Sequence, residues 1–141
     1  MKQLADTCKI AVVQATPVMF DKDACVEKVL ALIHECAKNG AELIVFPELF
    51  IPGYPYGMTY GFTVGSRNAE GRKDWKVYSD NSVLADGEEM QKIIEAAKEH
   101  NVYISIGYSE RDSITATLYN SNMMISPKGD AVNHRDRKSV V

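Results

Sequence analysis

Cysteine is scarce in this sequence, and its count is odd. The 141 residues hold three, Cys8, Cys25 and Cys36, with no Cys-x-x-Cys pair. A disulfide framework or a structural zinc site needs paired thiols at short spacings, so neither organises this chain. Long apolar runs are missing too. No stretch approaches the roughly 18–20 residues that span a bilayer, and Asp6 and Lys9 interrupt any signal-peptide core near the N-terminus. Charge of one sign is not in excess. Lys plus Arg is 16 and Asp plus Glu is 19, a formal net charge of −3, which leaves no electrostatic footprint for nucleic acid or an anionic membrane. The expected setting is soluble, reducing and cytoplasmic, with neither a nucleic-acid nor a membrane partner.

What is present is the composition of an ordinary globular domain, 45% apolar and 25% charged. The segment from Cys8 to Ala15 is β-branched and ends at Thr16-Pro17, which predicts a buried strand. Asp21 is a good N-cap, and Val26, Val29, Leu30, Ile33 and Ala37 then share one helix face, with Asn39-Gly40 as the stop. Ala41 to Phe46 reads as a second apolar strand, closing a βαβ unit with parallel strands. Residues 49–85 are rich in glycine and aromatics, and a connector this long in a compact domain is usually functional. A short helix is expected around Glu70 to Tyr78. Asp86-Gly87-Glu88-Glu89 resembles a capping box opening an amphipathic helix to about Glu99. Val102–Tyr108 and Ala116–Ser126 read as strands, and Pro127-Lys128-Gly129-Asp130 as a turn into a hairpin return at Ala131-Val132-Asn133. The predicted class is α/β with a mixed sheet.

Glu48 is the leading candidate for chemistry. It stands just past the carboxyl end of the second predicted strand, the edge at which α/β sheets bind ligands. A carboxylate partly desolvated there by aromatic neighbours serves as a general base; otherwise it is a solvated acid at a strand end. Cys25 and Cys36 lie eleven residues apart on one predicted helix and read as structural thiols, and Cys8 as a small core residue. None has a helix N-terminus or partner base placed to activate it. His34 and Cys36 point apart on their helix, and His100 suits a helix C-terminus. The tyrosines and Trp75 either line a pocket or pack the long loop.

The run Val45-Phe46-Pro47-Glu48-Leu49-Phe50-Ile51-Pro52-Gly53-Tyr54-Pro55 resembles the catalytic-glutamate motif of the nitrilase, or carbon–nitrogen hydrolase, superfamily. Ile10 to Pro17 is similar to that family's first strand. Gly61 to Arg67, Glu70-Gly71-Arg72, Trp75 and Tyr78 are similar to a segment of true nitrilases and cyanide-degrading relatives. Thr117-Leu118-Tyr119-Asn120 and Ser126-Pro127-Lys128-Gly129 resemble a later strand and turn. Leu49 departs from the nitrilase pattern, which more often has Ala, toward amidase branches. The resemblance implies the N-terminal half of an α-β-β-α sandwich that forms homo-oligomers when full length. It implies a Glu-Lys-Cys triad acting on a small nitrile through a cysteine thioimidate, with no metal or organic cofactor. An amide or carbamoyl substrate is the alternative within the superfamily, and a non-catalytic scaffold half-domain the alternative outside it.

Of the triad, Glu48 alone is matched. The family lysine belongs to a His-Arg-Lys-Leu-x-Pro-Thr stretch, but here the chain reads His134-Arg135-Asp136-Arg137-Lys138-Ser139-Val140-Val141. Alignment on His134-Arg135 puts Asp136 at the lysine position, counting from Gly129 puts Arg137 there, and Lys138 needs an inserted residue. The family cysteine lies beyond Val141. The isolated chain is therefore expected to be inactive. Asp136 to Val141 is also what GAT CGG AAG AGC GTC GTG would encode, a string that resembles part of a common sequencing-library adapter. The expected division is a partial hydrolase domain over residues 8–135 and a non-native tail over 136–141.

Overall fold

The computed structural model of the chain describes residues 7–56 and 69–138, and among these it has three helices and five strands. In order they are β1 (Ile10–Val12), α1 (Lys22–Lys38), β2 (Leu43–Val45), α2 (Ala69–Asp80), α3 (Glu88–His100), β3 (Tyr103–Arg111), β4 (Leu118–Ile125) and β5 (Ala131–Lys138). The strands form one sheet in the order β1-β2-β3-β4-β5. β1, β2 and β3 run parallel, with helical crossovers between them, whereas β4 and β5 return antiparallel through short turns. The mixed sheet is the one the sequence pattern predicts.

Local chemistry sets the helix boundaries. Asp21 accepts a hydrogen bond from the Ala24 N–H at 2.9 Å and caps α1. Asn39 and Gly40, the latter at φ 85°, end it. α1 buries Val26, Val29 and Ile33 against Met90, Ile93 and Ala97 of α3 and the sheet residues Ile44, Ile104, Ile106, Met123 and Ile125. Each fully buried aliphatic side chain contributes about 1.5–3 kcal/mol. His34 and His100 meet edge to face at 5.3 Å across the α1–α3 seam, a contact the sequence did not suggest.

α1 and α3 cover one face of the sheet, and the other is open among the described residues. Register places Ile10, Leu43 and Tyr103 in one row of that open face and Val12, Val45 and Ser105 in the next. β1 consequently differs from the expected buried strand. It is a three-residue edge strand with Ile10 54% and Val12 77% exposed. Cys8 precedes it and is exposed rather than a core residue.

Two further expectations need correction or placement. The N-cap of α3 is Gly87, which makes no side-chain cap bond, so Asp86 does not form a capping box. The acids Glu88 and Glu89 still favour the positive end of the helix dipole. The short helix expected at Glu70–Tyr78 is α2, longer by one residue at the start and two at the end. The glycine-rich stretch that includes Gly61 to Arg67 lies outside the described residues.

Candidate active site

The chain leaves β2 without leaving the sheet. Phe46 N–H donates to the Ser105 carbonyl at 2.8 Å, and Phe50 N–H to the Gly107 carbonyl at 2.9 Å. Ser109 N–H in turn donates to the Ile51 carbonyl at 2.7 Å. Residues 46–51 therefore run beside β3, interrupted by a bulge at Pro47, Glu48 and Leu49. Phe46, Leu49, Phe50 and Ile51 are all buried, and the Phe46 and Phe50 rings meet edge to face at 5.4 Å. Hydrophobic burial on both sides thus pins the bulge and leaves Glu48 at its crest. Leu49 has φ 48°, a left-handed conformation that costs a non-glycine residue about 1–3 kcal/mol and is held by its surroundings.

Gly107 is the floor of the bulge. A Cβ there would stand 2.6 Å from the Pro47 carbonyl oxygen, 2.8 Å from Glu48 Cα and 2.8 Å from Leu49 N. The Glu48 backbone therefore lies directly on β3, on the open face of the sheet. On the neighbouring strand the register pairs Gly107 with Asn122 and Ser109 with Asn120. The Asn120 side-chain amide donates to Glu48 Oε1. Glu48 is itself exposed. Among the described residues, the aromatic desolvation expected of it is not seen: Phe46 and Phe50 are buried, and Tyr54 and Tyr56 are exposed.

The cysteines stand apart from this carboxylate in character. Cys25 is fully buried, and its thiol donates to the Val18 carbonyl at 3.0 Å. Burial pushes that thiol above its ordinary pKa, outweighing the Val18 hydrogen bond. Burial, with Glu35 nearby, also raises the half-buried Cys36. Neither is an activated nucleophile. His134 is bound elsewhere. Its Nε2 lies 2.7 Å from Glu110 Oε2 and 3.2 Å from the Tyr108 hydroxyl. Of the three alternatives for the family lysine, the register places Arg137 opposite Asn120, with Asp136 opposite Ser121 and Lys138 opposite Tyr119. Among the described residues, no group of three or more His, Cys, Asp or Glu is placed to hold a metal ion. Nor is any described helix long and apolar enough to cross a membrane.

Sequence reasoning picked out Glu48 but neither of its partners. A glycine inside an alternating strand signals close backbone approach, and Gly107 carried that signal. For Asn120 the only mark was its place in the Thr-Leu-Tyr-Asn match.

The carbon-nitrogen hydrolase family profile matches residues 9–140. The chain belongs to the carbon-nitrogen hydrolase family. Its curated relatives include a cyanide hydratase of Botryotinia fuckeliana, 44% identical over 127 residues, and an aliphatic nitrilase of Sinorhizobium fredii, 41% identical over 127 residues. Each alignment covers 90% of this chain, but only 32% and 41% of those two proteins. The chain thus spans about a third of the relatives it matches. Among solved structures, the C. elegans NitFhit protein superimposes at a TM-score of 0.65 with 20% identity, over 94% of this chain and 28% of that one. An N-terminal amidase does so at 0.65 with 21% identity, over 95% and 28%. At those identities the superpositions speak for the fold alone. This carbon-nitrogen hydrolase chain has the α/β architecture that the sequence predicts.

Proposed function

We propose that the chain is the N-terminal part of an enzyme that hydrolyses a small nitrile to a carboxylic acid and ammonia, with Glu48 as its general acid–base. The observation that carries this reading is the seat of Glu48. A carboxylate stands on the open sheet face beyond the end of β2, on a backbone held by buried neighbours and by Gly107. The cyanide hydratase and nitrilase names of relatives at 41–44% identity favour a nitrile-type substrate. In the reaction, a cysteine sulfur adds to the nitrile carbon, and the thiol proton passes through Glu48 to the nitrogen, giving a thioimidate. Water then adds with its proton taken by the carboxylate, and ammonia leaves. A second water releases the acid and restores the thiol. A lysine stabilises charge developing on the substrate. The resemblance puts the cysteine beyond Val141, and no residue of the chain is assigned the lysine's role.

Ammonia release from a panel of nitriles tests this. The full-length enzyme is expected to turn over, and Glu48→Gln to lower kcat by about 10²–10⁴-fold, the usual contribution of a positioned acid–base. The 141-residue chain is expected to release none. Turnover by that chain which Glu48→Ala abolishes overturns the assignment of the nucleophile to the missing part. A full-length Glu48→Gln enzyme within twofold of the wild type overturns the role of Glu48.

A further inference from the structure

We propose that Asn120 is the positioning residue of the Glu48 carboxylate: its amide holds Oε1 and leaves Oε2 as the oxygen that carries protons. This rests on the reading of Glu48 as the acid–base. Three observations lead to it. The Asn120 amide donates to Oε1 from the strand next to β3. The Glu48 backbone is immobilised beneath by Gly107 and on both sides by buried residues. The carboxylate itself is exposed, so among the described residues no packing wall fixes its χ angles.

A Glu side chain has three rotatable bonds, and a fixed backbone alone leaves its oxygens free to sample several rotamers. A single donor on an adjacent strand removes that freedom where burial does not. Asn suits the task because its amide is a donor that does not titrate, so it keeps its hydrogen on the carboxylate through a catalytic cycle. Proton traffic is then confined to Oε2. Asn120 touches no reacting atom in this scheme and acts through Glu48.

The test is kinetic and spectroscopic. In the full-length enzyme, Asn120→Ala is expected to lower kcat by about 10–100-fold with KM within twofold, because misplacement of a catalytic group costs rate rather than binding. Asn120→Asp keeps the shape, loses the donor and adds a like charge, so its kcat should fall at least as far. A residue that merely shapes the strand would tolerate that exchange. In the 141-residue chain, Glu48→Ala should displace the Asn120 side-chain amide resonances, whereas Glu42→Ala should not. An Asn120→Asp enzyme that keeps kcat within twofold while Glu48→Gln is inactive overturns the proposal and leaves the acid–base reading standing. Amide resonances that ignore Glu48→Ala overturn the tether directly, whatever the kinetics. If Asn120→Asp fails to fold, Asn120→Ala and the resonance measurement decide the matter.

Discussion

At Gly107 the atoms that a methyl group would strike are backbone atoms of Pro47, Glu48 and Leu49, which cannot swing aside as the end of a flexible side chain could. Gly107→Ala must therefore either lift the Glu48 bulge off β3 or strain the strand. Overpacking of this kind costs about 1–3 kcal/mol, and a lower urea midpoint at unchanged slope would show it. A midpoint that does not move would mean that the bulge rides freely over the strand. Residue-scale legibility divides along the same line. The place of Glu48 past a strand end was readable because a short apolar run ends at Pro47-Glu48, a local pattern. Its tie to Asn120 joins residues 72 apart in sequence, and no local pattern carries such a contact. The exposure of Glu48 among the described residues differs from the desolvation expected of it for a related reason: which face of the sheet is covered depends on the whole fold, not on the neighbouring aromatics.

The helices were legible almost residue by residue, because their signals are periodic and local. Of the face expected on α1, Val26, Val29 and Ile33 are buried and Leu30 and Ala37 half-buried; on α3 the pattern of Met90, Ile93, Ile94 and Ala97 is buried except at the half-buried Ile94. The exception, the capping box read at Asp86, failed because α3 begins one residue late, at Glu88. Its first turn is tied down from outside instead. Lys22 Nζ of α1 lies 2.5 Å from Glu89 Oε1. Burial alone would raise the Glu89 carboxyl; the hydrogen bond and charge of Lys22, with help from its own backbone and Lys92, outweigh it and hold the carboxyl below its ordinary range. A depressed folded-state pKa contributes stability above the unfolded value of about 4.3, and that contribution is lost as pH falls through the lower folded value. Glu89→Gln is accordingly expected to cost up to about 1 kcal/mol at pH 7 and low salt, as partly exposed pairs do. The difference from wild type should shrink with added salt and vanish in strong acid. Urea unfolding of both chains at pH 7 and pH 3 measures this, and a gap that persists unchanged at pH 3 would rule the ion pair out as its source.

At the scale of the molecule, the chain has two unequal faces. The helix side carries a continuous core. The opposite side does not: Ile10, Val12 and Tyr103 stand exposed there, with Leu43, Val45 and Met124 only half-buried among them. The sequence pattern could not reveal this, because a β-branched run looks the same whether one face or both are covered. The sandwich implied by the family resemblance would lay a second sheet on this surface. Without that cover, a contiguous apolar patch rimmed by polar residues drives association. The unpaired edge of β1 offers a second route, and the two are separable by position. Tyr103 lies on β3, an interior strand, so Tyr103→Lys charges the open face without touching an edge. Light scattering across a concentration series should show the 141-residue chain self-associating and the Tyr103→Lys chain doing so markedly less, with weaker binding of an apolar dye. Equal association of the two chains would mean that the strand edges, and not the open face, hold the copies together.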